Sequence, residues 1–140
     1  MAQGRLDRPS PLFWLTLTAA LGIIGLGARF LVVPQVGAEG FGVPLQDGNG
    51  VAFACTKGIR DIFSGLVGLP FLFAGRRRAV AWILLTASII PVTDGFIMMK
   101  FSGLRPAFLA IHWGTALYII VLVTCLFRTS QGLADESVHT

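Results

Sequence analysis

Charge is scarce along this chain. Only 13% of its 140 residues are Asp, Glu, Lys or Arg, while 54% are hydrophobic and the mean hydropathy is +0.76. A soluble domain of this length needs more polar surface to remain dispersed in water. Cysteine is scarce too. Cys55 and Cys125 are the two in the chain, which excludes a disulfide framework, and no run of residues has the spacing of a metal or cofactor site. There is no internal repeat.

The few basic residues leave a net charge of +4 and a pI of about 9.8. They stand at the ends of apolar blocks, where lysine and arginine set orientation in a bilayer, so nucleic acid is not the expected partner. The apolar residues are massed in four blocks, each long enough to cross a hydrocarbon core of roughly 30 Å at about 1.5 Å per residue. The expected fold is all-α, a four-transmembrane-helix antiparallel bundle with helices over about 12–33, 51–74, 79–99 and 107–127. Residues 1–11 form a cytoplasmic N-terminal segment, and residues 128–140 a polar, acidic, disordered tail that carries His139.

The first block follows Arg5, Arg8 and Pro9 and outruns a signal-peptide core, so it reads as a retained helix. Residues Pro34 to Gly50 are rich in Gly and Pro and read as a loop. Arg5, Arg8, Arg76, Arg77, Arg78 and Arg128 gather on one side against Lys100 and Arg105 on the other. Both ends are therefore expected on the cytoplasmic side, in a bacterial inner membrane or a eukaryotic endomembrane. Cys55 and Cys125 then lie near opposite faces, too far apart to pair. Trp14, Trp82 and Trp113 fall near block ends as interfacial anchors.

Ionisable groups inside a span cost a few kcal/mol each, so each asks for a partner or a purpose. Arg29, Lys57, Arg60, Asp61, Asp94 and His112 all fall in the outer half of the membrane. At about 100° per residue, Lys57, Arg60, Asp61, Ser64 and Gly68 share one face of the second block, with Ile59, Ile62, Phe63 and Leu66 opposite. On the first block Thr18, Gly22, Gly25 and Arg29 form a stripe of small residues ending in a charge, read as the face for close helix packing. Together these imply a polar chamber, open outward and closed by apolar packing inward, with a net charge of one positive unit when His112 is neutral. Glu39 to Pro44 follow the first block as a glycine-rich lid, with Phe41 as its plug.

The structural alternative is a salt-bridge set that locks helices together. Asp94, three residues after Pro91, also has the option of serving backbone groups that the proline frees. The functional reading is a membrane-embedded enzyme acting by acid/base chemistry on a small lipophilic, anionic or hydrogen-bonding molecule, as an isomerase, cyclase or hydratase does. Asp61 or Asp94 would move the proton and His112 would relay it. Lys57 and Arg60 would stabilise developing negative charge, with Arg29 and Ser64 also lining the substrate. This chemistry requires neither metal nor organic cofactor. The rivals are a small-molecule or proton-coupled carrier, which with so few helices would work as a homo-oligomer, and a non-catalytic accessory subunit.

The run Gly40-Phe41-Gly42-Val43-Pro44, the segment Lys57-Gly58-Ile59-Arg60-Asp61-Ile62 with Gly65-Leu66, the pair Pro91 and Asp94, and His112 with Gly114 resemble a family of small four-helix membrane proteins of bacteria and fungi. The family is known as domain of unknown function 4267, and the resemblance runs from about Gly25 to Leu122. It implies a four-helix fold and adds weight to Arg60, Asp61, Asp94 and His112 as a set, but implies no substrate or reaction.

Overall fold

The computed structural model describes residues 10–45 and 48–136, and the side chains only as far as 128. His139 and the N-terminal basic residues Arg5 and Arg8 lie outside the described residues. Among the described residues seven helices follow one another: α1 (Pro11–Val32), α2 (Pro34–Phe41), α3 (Gly48–Leu66), α4 (Leu69–Phe73), α5 (Arg77–Ala87), α6 (Ile89–Ser102) and α7 (Pro106–Glu136). No strand occurs among the described residues.

Each boundary has a local cause. Ser10 caps α1 by accepting a hydrogen bond from the Phe13 amide, and Pro11 sits in the first turn, where a missing N–H costs nothing. Pro34 then interrupts the chain, but the same property lets it begin a new helix. Residues 34–41, read as loop from the sequence, are therefore the short helix α2, which ends at Gly42 in the left-handed region with φ 105°. A Cβ on Gly37 would come within about 3.0 Å of the Phe30 ring, so glycine there lets α2 fold back on the end of α1.

The second apolar block is not one continuous helix. It parts after Leu66, and Pro70 opens the short helix α4. The third is two helices meeting at Ser88, three residues before Pro91. That proline has no N–H to offer the Ala87 carbonyl one turn back, and beside this break Ser88 Oγ donates to the Leu85 carbonyl at 2.6 Å. Beyond Arg128 helix continues to Glu136, where the sequence pointed to a disordered tail. Among the described residues three stretches, Pro11–Val32, Arg77–Ser102 and Pro106–Arg128, are long and apolar enough to cross a membrane. The helix α3, with Lys57, Arg60 and Asp61 inside it, is not among them.

The helices associate as two sets. On one side α1 packs along α3, and on the other α5 and α6 pack along α7, while contacts between the sets are sparse. The α1/α3 seam is closed by glycine. A Cβ on Gly58 would lie 2.7 Å from the Gly27 carbonyl oxygen, and one on Gly65 would lie 2.6 Å from that of Ala20. The expected small-residue stripe is thus not the packing face: Gly22 and Gly25 have nothing within 4 Å of where a Cβ would stand. The packing glycine of α1 is Gly27, turned away from the stripe, of which Gly22 and Arg29 line the space between the sets.

Buried apolar contacts collect at the two ends of that space. Phe13, Leu72, Val80, Ala81 and Leu126 form one cluster, and Phe30, Ala38 and Ala54 the other, under α2.

Candidate functional site

The space between the helix sets is a cavity of about 520 Å³. Its wall runs from Leu72, Val80 and Leu84 at one end to Arg29, Gly37, Gly40 and Phe41 at the other, with Gly22 and Ile119 between. Most of that wall is apolar. The polar chamber expected from sequence is instead an apolar cavity with polar groups set into it: Thr16, Arg29, Asp61, Ser64, His112, Thr115 and Tyr118.

Beside the cavity four charged side chains close a bridge from α3 to α6. Lys57 Nζ lies 2.5 Å from Asp61 Oδ2 and 3.6 Å from Asp94 Oδ2. Arg60 Nη2 lies 3.4 Å from Asp61 Oδ1 and 3.7 Å from Asp94 Oδ2. Helical phase produces the set, since positions 57, 60 and 61 fall on one face of α3, and the partner helix α6 supplies Asp94 one turn after Pro91. Asp61 is 1% exposed and Asp94 8% exposed, whereas Arg60 reaches outward and is exposed. The formal charges cancel within the four, which lowers the cost of holding them among apolar helices. Of these four only Asp61 lines the cavity.

The Lys57 ammonium is also enclosed by aromatic faces, 4.6 Å from the Phe41 ring centre and 5.0 Å from that of Phe30. Phe41 is half-buried at the end of α2, and its ring meets the His112 ring edge-on at 4.6 Å. It lines one end of the cavity from the last position of a helix, where the sequence points to a loop. The end of α2 is itself tied to α6, because Ser102 Oγ donates to the Gly42 carbonyl at 2.7 Å.

His112 Nε2 lies 3.2 Å from the Phe41 carbonyl oxygen. A carbonyl only accepts, so Nε2 must carry the proton, and in the neutral ring Nδ1 is then the acceptor. No carboxylate pairs with this histidine among the described residues. The histidine is 7% exposed and lines the cavity.

Arg29 stands apart from the bridge. Its guanidinium lies across Gly40, where a Cβ would come 3.3 Å from one of its nitrogens, and it makes no ion pair among the described residues. Ser64 donates its hydroxyl to the Arg60 carbonyl at 2.8 Å while lining the cavity. The sequence therefore points to residues that fall into three groups: Lys57, Arg60, Asp61 and Asp94 in the bridge, His112 with Phe41, and Arg29 with Gly40.

Tyr118 and Thr115 were not singled out from the sequence. Tyr118 donates to the Leu15 carbonyl at 3.0 Å, joining α7 to α1 across the cavity, and both residues line it. The signal was available, since His112, Thr115 and Tyr118 recur every three residues and so share one side of α7.

The family model described as Domain of unknown function (DUF4267) matches residues 20–126. No curated protein and no solved structure matches the chain.

Proposed function

We propose a function for a chain that belongs to the DUF4267 family: an integral membrane enzyme that takes a small lipophilic molecule into the cavity between its helix sets and moves a proton on it. In this reading α3 with α4 completes a fourth span, and both ends of the chain lie on the cytoplasmic side, as the arginines at 76–78 and 128 favour. The bridge of Lys57, Arg60, Asp61 and Asp94 is what lets so charged a helix as α3 lie in the bilayer.

The observation that carries the proposal is His112 on the wall of an apolar cavity of about 520 Å³, a volume typical of small-molecule sites, with Nε2 held by the Phe41 carbonyl and Nδ1 left as the acceptor. Oriented in this way, the imidazole can take a proton at Nδ1 from a bound molecule and return it at a neighbouring atom, the requirement of an isomerisation or a cyclisation. Asp61 and Asp94 each face two cations, so their part is to position Lys57 and Arg60 and hold the α3 side of the cavity, with Asp61 also presenting its carboxylate to the wall. No redox partner is needed for such a step.

The length of the cavity, from Arg29 to Val80, favours a carrier as the second reading, in which the same space holds a lipophile without changing it. Lipid extracts from cells expressing the wild type, His112→Ala or no protein separate the two. The enzyme reading expects a pair of lipophilic compounds, equal in mass or differing by one water, whose ratio shifts with the wild type alone. Identical ratios in all three extracts would overturn it.

A further inference from the structure

The cavity has one charged end. Arg29 lines it where α1 meets α2, and no acidic side chain pairs with it among the described residues, Glu39 included. The other two cations near the cavity, Lys57 and Arg60, each face both carboxylates and do not line it. Lys100 and Arg105, on the same side of the helices as Arg29, do not line it either. Arg29 is therefore the cation this cavity offers to something else.

From Arg29 the wall is apolar along a line of small and branched residues. Gly22, Ala19 and Ala20 on α1 face Ile111 and Ile119 on α7, and the line ends at Leu72 and Val80. Gly22 has no atom within 4 Å of a Cβ position, so the groove beside it is open at that point. The seam between α1 and α7 is sparsely packed, and the Tyr118 hydroxyl donates a hydrogen bond to the Leu15 carbonyl across it. That seam offers a lipid-dissolved molecule a lateral way in.

We propose that the ligand is a single-chain amphiphile ending in an oxyanion, with its carboxylate or phosphate on the Arg29 guanidinium and its hydrocarbon chain along the Gly22 groove toward Leu72. The reason is complementarity. A planar, exposed guanidinium with no carboxylate partner among the described residues can bind an oxyanion through paired hydrogen bonds, and an apolar groove leading away from it favours a chain that follows. This deepens the proposed function and rests on the same cavity.

The test uses the full chain in nanodiscs of uncharged lipid, with palmitate, hexadecanol and 1-palmitoyl lysophosphatidate as probes, on the wild type, Arg29→Gln and Gly22→Leu. The expected result is that one or both anionic probes bind the wild type at least tenfold tighter than hexadecanol. Arg29→Gln, at an exposed position, folds and removes that preference while still binding hexadecanol, and Gly22→Leu weakens all three. Palmitate alone being preferred identifies a carboxylate head, and lysophosphatidate alone a phosphate head. If hexadecanol binds as tightly as both anions, with Arg29→Gln unchanged, the oxyanion proposal is overturned while the lipophile cavity stands. If no probe binds saturably, or binding is unaltered by Gly22→Leu, the cavity reading falls with it.

Discussion

His112 is fastened to Phe41 twice, through Nε2 on the main-chain carbonyl at 3.2 Å and through an edge-on ring contact at 4.6 Å. The two residues come from α7 and the end of α2, so the contact holds both the imidazole and the short helix that lines one end of the cavity. Replacing the ring tests whether it covers that end, without removing the carbonyl. Phe41→Ala should lose the edge contact and the cation–π contact with Lys57, lowering stability by about 1–3 kcal/mol, and should speed release of any bound lipophile. Thermal unfolding in mild detergent and a ligand washout rate measure the two effects. An unchanged washout rate would mean that Phe41 is not a cover.

The two kinds of glycine on α1 and α3 predict opposite responses to the same change. At Gly58 a side chain must enter the Gly27 backbone, so Gly58→Leu should cost at least about 1–3 kcal/mol by overpacking. Gly22→Leu meets empty space and should leave the melting temperature near that of the wild type. Thermal unfolding of the two variants side by side checks this, and equal destabilisation would contradict the split into a packed seam and an open groove.

The ionic bridge predicts an order among its members. Asp61 is the more buried acid and has the shortest ion pair, so Asp61→Asn leaves Lys57 short of its main partner, at a cost on the order of 3–5 kcal/mol. Asp94→Asn should cost less, because its contacts are longer at 3.6 and 3.7 Å. Adding Lys57→Met to Asp61→Asn should recover much of the loss, since no ammonium is then left with only its longer contact to Asp94. Chemical denaturation of the three variants would reveal the order, and a double variant less stable than Asp61→Asn would refute the pairing argument.

The four-span reading has its own test. In a Cys55→Ser, Cys125→Ser background, a single cysteine at Ala74 should react with a membrane-impermeant maleimide only from the cytoplasmic side, and one at Leu104 only from the other. Labelling of both from one side would place an even number of crossings between them and contradict the reading.

The parts of this fold that were legible in the sequence follow from costs that leave no alternative. Apolar runs of that length point to a bilayer, and charges among them point to each other, as Lys57, Arg60, Asp61 and Asp94 do across α3 and α6. What was not legible turns on residues with two meanings. Pro34 breaks one helix and equally well starts another, so the sequence read as loop what folds as α2. Glycine permits close approach and equally well leaves a void, so the stripe of Gly22 and Gly25 read as a packing face while Gly27 does that work and Gly22 borders the cavity. The tail beyond Arg128 is polar enough to look disordered, yet it continues a helix already formed.

The idea on which the rest depends is that lipophilic molecules enter between the helix sets rather than only coating the outside. A long-chain alcohol carrying a diazirine, photoactivated in membranes containing the full chain, reports this directly. Cross-links on cavity residues such as Ala19, Ile83, Ile90 and Ile119, lost in Gly22→Leu, are the expected result. Cross-links confined to outward residues such as Leu21, Phe63 and Leu117, and unaltered in Gly22→Leu, would contradict it.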